Sequence, residues 1–218
     1  MPINAYFFDL DGTLYDLECG LLTEVNDRIA AWMRKTVDLP EEEIHPLRER
    51  LYAQYGGTLV GLALEYGSDY YASMRYCHDI PVEKFIGPAP KVRGALERLR
   101  GRKYVFTSSY RFYTTKVLHT LGILDCFDGI IDALDVFPTV KPAPEAFEKA
   151  FRMTAEDDIR RCAFLDDHVR NINTAHEAGF FTVQVGQEPP SPLADARIPR
   201  VEDLVSIGEF FTEEDPKL

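Results

Sequence analysis

Tyr6-Phe7-Phe8 is a short apolar run that gives way within one residue to Asp9-Leu10-Asp11-Gly12-Thr13-Leu14-Tyr15. A continuous aromatic-rich run of this kind suits a strand buried on both faces. Beyond it the period changes. Leu21, Leu22, Val25, Ile29, Ala30 and Met33 recur at helical spacing, with Trp32 beside them, among Glu24, Asp27, Arg28, Arg34 and Lys35. Pro40 followed by Glu41, Glu42 and Glu43 opens a second helix, since proline suits a first turn and acids suit the amino end. It is expected to reach about Tyr55, where Gly56-Gly57 breaks it. Further helices are expected over Leu59 to Tyr66 and Tyr70 to His78, and no strand pattern interrupts the chain before Gly87-Pro88-Ala89-Pro90.

From there helices and strands alternate. The pattern predicts helices over Val92 to Leu99, Phe112 to Leu121, Pro144 to Phe151 and His168 to Ala178. Between them lie strands at Tyr104 to Phe106, Gly129 to Ile131, Cys162 to Leu165 and Phe181 to Val185. Such alternation implies right-handed parallel units and an α/β fold with a doubly wound parallel sheet. The expected division is a core of residues 1–16 and 88–218 with a small all-helical insertion, 17–87. Pro189, Pro190 and Pro192 mark a loop, and Ile198 to Phe211 is expected to end in a helix against the core.

With 218 residues, 45% hydrophobic and 28% charged, the chain has the composition of a globular protein large enough to bury a substantial core. Its formal net charge of -12 argues against a nucleic-acid polymer or an anionic membrane as partner. No amino-terminal signal pattern and no membrane-length apolar run is present, so a cytoplasmic location is expected. Cys19, Cys77, Cys126 and Cys162 are scattered without zinc spacing and read as reduced thiols.

In an open parallel sheet, ligands bind beyond the carboxyl ends of the strands. The first strand ends at Asp9 and Asp11; on extended chain, residues two apart point the same way, and Gly12 permits a sharp turn behind them. An ordinary Asx-type turn explains that stretch alone about as well. Another strand ends in Thr107-Ser108-Ser109, presenting hydroxyls and N–H groups ahead of a helix, a setting for phosphate oxygens or a plain N-cap. A third segment, Val140-Lys141-Pro142-Ala143-Pro144, fixes a lysine before a helix, and a fourth strand ends in Asp166-Asp167. Two carboxylate pairs at strand ends supply hard oxygen ligands for Mg²⁺. Asp157-Asp158 follows no strand and is assigned to a loop or helix start.

These four segments, in this order, resemble the signature motifs of the haloacid dehalogenase superfamily, subfamily IA, and the helical insertion resembles its C1 cap. Tyr55 to Leu62, Glu65-Tyr66-Gly67 and His78-Asp79-Ile80-Pro81 are similar to pyrimidine 5'-nucleotidases within it. The resemblance implies a Rossmann-like core and a Mg²⁺-dependent phosphatase acting on a small phosphate monoester, a pyrimidine nucleoside 5'-monophosphate above all, by a monomer or homodimer. It implies Asp9 as nucleophile, Asp11 as general acid and base, and Thr107 and Lys141 as the clamp on the phosphoryl group. It places Mg²⁺ between the Asp9 carboxylate, the Asp11 main-chain carbonyl, Asp166 and Asp167. Ser108 stands where relatives often carry Asn, and His168 where a small residue is common. Tyr55, Thr58, Leu59, Tyr66 and His78 are candidate leaving-group contacts, though packing within the helical insertion is the commoner role for each such residue. Asp11 argues against a dehalogenase, whose reaction has no alkoxide to protonate. A phosphatase for a sugar phosphate or pyridoxal phosphate, a β-phosphoglucomutase-like mutase and a non-catalytic binding module stay open.

Overall fold

The computed structural model describes residues 3–186 and 189–207. Its elements in chain order are β1 (Ala5–Phe8), α1 (Leu21–Thr36), α2 (Glu41–Tyr55), α3 (Thr58–Tyr66), α4 (Tyr70–Cys77), α5 (Pro90–Arg98) and β2 (Arg102–Phe106). They continue with α6 (Arg111–Leu121), β3 (Gly129–Ile131), α7 (Ala133–Val136), α8 (Pro144–Arg152), β4 (Cys162–Asp166), α9 (Val169–Ala178), β5 (Phe181–Val185) and β6 (Ala196–Ile198).

The six strands form one sheet in the order β3-β2-β1-β4-β5-β6, and every neighbouring pair is parallel. This is the doubly wound sheet that the alternation implied. β1 lies at the centre, with β2 on one side and β4 on the other, so the winding direction reverses between β1 and β4. The crevice beyond the carboxyl ends of those two strands is the natural ligand site of the fold.

β1 is buried at all four positions, and its side chains alternate between two cores. Tyr6 and Phe8 face one layer with Val105, Leu165, Leu96 and Val117. Phe7 faces the other with Phe106, Phe164, Phe147 and Ile172. That second layer is a lattice of rings: Phe106 and Phe147 are 5.4 Å apart between centroids, Phe147 and Phe164 5.1 Å, Phe7 and Phe180 5.3 Å. Each fully buried ring contributes roughly 2 kcal/mol in removed apolar surface, and the layer holds the ends of β1, β2 and β4 in fixed register.

α1 to α4 pack on one another through Met33, Leu47, Leu51, Leu62 and Met74. α2 and α3 are pressed together at Gly61, where a Cβ would stand 2.7 Å from Leu51 Cδ2. Tyr70 of α4 stacks on Phe137 at 4.4 Å, which joins this helical segment to the loop after α7.

Differences from the expected elements are local. α7 and β6 carry no strong periodic signal because they have four and three residues. Asp158 caps a 3-10 turn, as a loop residue would. The described part of the expected terminal helix is β6 followed by a 3-10 helix, Val201–Ser206, and residues 208–211 lie outside the described residues. All four cysteines are free. Among the described residues no helix is long and apolar enough to cross a membrane.

Candidate active site

The β1–β4 ladder continues one residue past β1, because the Asp9 N–H donates to the Leu165 carbonyl at 2.8 Å. This extra rung fixes Asp9 beside Asp166. Asp166 is fully buried, and Asp9 and Asp167 are 8% and 6% exposed. One carboxylate oxygen of each lies within 4.8 Å of the other two. Gly12 lets the following loop pass close by: its φ is +88°, and a Cβ there would lie 2.5 Å from Asp167 Oδ2.

Lys141 is the cation among these acids. Its Nζ donates to Asp9 Oδ1 at 2.7 Å and to Asp166 Oδ2 at 2.8 Å. The ammonium also lies 5.3 and 5.4 Å from the Phe106 and Phe164 ring centroids. Burial acts to strip its proton, but Asp166 and Asp9 more than reverse this, so the ammonium is held well above its ordinary range. Asp166 is further held by the His168 N–H at 2.8 Å and by Asn171 Nδ2 at 3.0 Å from both oxygens. Asp9 has fewer compensations. Burial, opposed by Lys141 and reinforced by Asp166, Asp167 and Asp11, pushes its carboxyl well above the usual range. Three buried carboxylates against one ammonium leave a local excess of negative charge. Their all-oxygen donor set fits a hard divalent cation such as Mg²⁺.

The Asp11 side chain points elsewhere. Its Oδ1 accepts from the Tyr15 hydroxyl and from Tyr113 at 3.1 Å, and its Oδ2 accepts from Ser109 Oγ at 2.7 Å. This corrects the expectation that spacing alone aligns the Asp9 and Asp11 carboxylates. The chain turns at Gly12 and bridges back at Tyr15, so Asp11 faces α6 and its side chain is not among the clustered carboxylates.

Above the acids lies a cavity of about 580 Å³, bounded on the helical side by Asn26, Arg48, Tyr52, Thr58, Leu59 and His78. Ser108, Ser109, Lys141, His168 and Asn171 line it from the sheet side. Thr58, Leu59, His78 and Ser108 thus line the cavity. Tyr55 does not: its hydroxyl donates to Glu65 at 2.8 Å and accepts from Gln54, on a surface that also carries the Arg50–Glu65 ion pair at 2.6 Å. A charged partner on α3 holds it away from the cavity, and Tyr66 is 42% exposed and also absent from the lining. Thr107 is buried beneath the lining, where its Oγ1 accepts from the Ser109 N–H at 3.0 Å and keeps its own proton to donate.

Residues 3–179 match the family described as "Hydrolase: haloacid dehalogenase-like hydrolase". The chain belongs to the haloacid dehalogenase-like hydrolases. Among its relatives in this family is Phosphate metabolism protein 8 of Saccharomyces cerevisiae, 26% identical over 81% of this chain, a stretch that spans 59% of the yeast protein. Phosphoglycolate phosphatase of Mesorhizobium japonicum is 28% identical over 82% of this chain and 80% of its own length. Beta-phosphoglucomutase of Bacillus subtilis is 34% identical over 41% of this chain and 38% of its own. The L-2-haloacid dehalogenase of Xanthobacter autotrophicus shares the fold with a TM-score of 0.62 and 16% identity, covering 96% of this chain and 100% of that one.

Several residues of this haloacid dehalogenase-like site escape a linear reading. Tyr15, Ser109 and Tyr113 meet at Asp11 from the motif loop, the end of β2 and α6. Ser109 had a signal, lying beside two residues already singled out. Asn171 sits in the first turn of α9, a position at which a polar residue reads as solvent-facing. Tyr52 carried none: its hydroxyl meets His168 Nε2 at 3.3 Å only because α2 ends over the sheet.

Proposed function

We propose that this chain is a Mg²⁺-dependent phosphatase that hydrolyses a small phosphate monoester, with pyrimidine nucleoside 5'-monophosphates as the first class to test. The observation that carries this reading is Lys141, buried and bonded at once to Asp9 and Asp166, beneath a cavity at the switch in strand order. Phosphatases among the relatives support it, and the cavity volume is adequate for a nucleotide-sized ester. In this reading residues 17–87 are a cap on a core formed by 1–16 and 88–218, and they contact the leaving group.

Asp9, Asp166 and Asp167 would hold the cation together with the Asp11 main-chain carbonyl. Bound there, Mg²⁺ would offset the mutual repulsion of the carboxylates and that between nucleophile and phosphate. Asp9 attacks phosphorus and forms an aspartyl phosphate, dividing one difficult displacement into two. Lys141 orients Asp9 and opposes the burial that favours its protonated form, and Thr107 and Ser108 offer hydroxyl and N–H donors to the phosphoryl oxygens. Asp11 gives a proton to the departing alkoxide, then takes one from the water that attacks the aspartyl phosphate.

The test is phosphate release from nucleoside monophosphates, sugar phosphates and pyridoxal phosphate, with Mg²⁺ and again with EDTA. Turnover restored by Mg²⁺ and highest for UMP or CMP is expected. Metal-dependent turnover favouring another ester removes the nucleotide assignment, and no release by folded protein removes the phosphatase. Similarity to Beta-phosphoglucomutase motivates one second reading. It is distinguished by conversion of a hexose 1-phosphate without phosphate release.

A further inference from the structure

We propose that Tyr15 and Tyr113 are positioning residues that allow Asp11 to alternate between proton donor and proton acceptor. The proposal rests on the phosphatase reading above and concerns how Asp11 serves both halves of the reaction.

The two phenol oxygens are 3.0 Å apart, and both reach the same carboxylate oxygen, Oδ1 of Asp11. Tyr113 is fully buried and Tyr15 is 8% exposed. Phenylalanine would fill either position as well, so packing does not explain the hydroxyls. The His78 ring, just past the end of α4, closes the cluster 5.0 Å from the Tyr113 ring between centroids.

The chemistry of the partners matters more than their number. A lysine, an arginine or a backbone N–H donates only, and would pin Asp11 in its ionised form. A hydroxyl both donates and accepts. With Asp11 ionised, both phenols donate to Oδ1 and Ser109 donates to Oδ2. With Asp11 protonated, one phenol keeps its bond to Oδ1 and the other turns to donate across the 3.0 Å gap to its neighbour. Neither state leaves a buried polar group unpaired, a condition that would otherwise oppose the change of state.

In the first step an Asp9 carboxylate oxygen bonds to phosphorus, the phosphorus–oxygen bond of the ester breaks with its electron pair staying on the leaving oxygen, and that oxygen takes the Asp11 proton. In the second step water attacks phosphorus, the bond to Asp9 breaks, and Asp11 takes the proton that the water gives up. The carboxyl orientation is kept throughout by the hydroxyls that rearrange around it.

The experiment compares UMP or another alkyl phosphate from the panel with p-nitrophenyl phosphate, whose leaving group needs little protonation. The variants are Tyr15→Phe, Tyr113→Phe, the double variant, and Asp11→Asn as benchmark. Loss of a well-placed general acid removes on the order of 10²–10⁴ from alkyl-ester turnover. For each single tyrosine variant kcat on the alkyl ester is expected to fall about tenfold with KM within about threefold, and the ratio of alkyl to aryl kcat to fall with it. Equal losses on both esters, or an unchanged ratio, overturn the proposal. If the double variant does not fold, Ser109→Ala and the single variants carry the comparison, since the aryl ester reports on site integrity within each protein. A collapsed ratio in Asp11→Asn with unchanged ratios in the tyrosine variants overturns the positioning role alone. Wild-type protein that cleaves neither ester overturns the phosphatase reading itself.

Discussion

Gly56 ends α2 directly against the main-chain carbonyl of Lys141. Its φ is +76°, and a side chain there would collide with that oxygen and stand 2.9 Å from Pro142 Cδ. Tyr52 meets His168 and Arg170 donates to the Ala53 carbonyl at 3.1 Å within the same turn, so the end of α2 rests on the loops that hold the buried lysine. Gly56→Ala is therefore expected to displace Lys141 as well as strain α2. Gly67 is the control, with φ +66° and nothing within 4 Å of its missing Cβ. Both alanine variants should lose about 1 kcal/mol for the left-handed backbone. Only Gly56→Ala should also lose most of its phosphate release, as urea unfolding and turnover measured side by side will show.

Lys141→Met removes the ammonium bonded to both Asp9 and Asp166. Breaking a buried pair by deleting one partner costs about 3–5 kcal/mol. The expected result is a urea midpoint far below wild type in EDTA, partly restored by millimolar Mg²⁺. A midpoint equal to wild type in EDTA would mean that the pair contributes nothing to folding.

Asp9→Asn should abolish turnover while making the metal-free protein more stable. The Asp9 carboxyl is raised by burial, with Asp166, Asp167 and Asp11 reinforcing that and Lys141 opposing. The folded protein thus holds this proton more tightly than the unfolded chain does. That contribution to stability is complete at low pH and is lost as the pH rises through the folded-state value. At neutral pH the uncharged amide avoids the loss, so the variant's melting temperature in EDTA should lie above that of wild type. Mg²⁺ should narrow the gap by raising the wild-type melting temperature more than that of the variant. A variant less stable than wild type in EDTA contradicts this account.

His78 is 4% exposed, its Nδ1 donates to the Met74 carbonyl at 2.8 Å, and burial holds it below its ordinary range against the opposing pull of that bond and of Asp11. A histidine whose folded value is depressed binds its proton less readily when folded. Its share of stability is present above the ordinary histidine value and is lost as the pH falls below it. Wild-type protein should lose more stability between pH 7 and pH 5 than His78→Gln, by a margin that calorimetry at several pH values can resolve.

The fold was legible because its strands are apolar runs cut off by carboxylates and its helices are amphipathic with glycine stops. Asp9, Lys141, Asp166 and Asp167 could be singled out because each lies at the end of a strand or just before a helix. The direction of Asp11 could not be read, since it depends on a turn at Gly12 and on hydroxyls from residues about a hundred positions away. Tyr55 was misplaced for a related reason: a helix facing both a cavity and a neighbouring helix offers two buried sides, and Glu65 decides between them. β6 and α7 were missed because three or four residues cannot display a period.

Trp32, the only tryptophan of the chain, donates from Nε1 to Ser68 Oγ at 3.0 Å and lies 5.4 Å from the Tyr76 ring. Both partners belong to the helical segment, and none of the sheet strands contributes to its surroundings among these contacts. The protein thus carries an intrinsic fluorophore whose hydrogen-bond and ring partners lie within the α1 to α4 segment. Ellipticity reports on every helix, so the two signals separate on denaturation if the segment melts before the sheet and coincide if it does not. No label is needed to learn whether the helical segment and the sheet come apart independently.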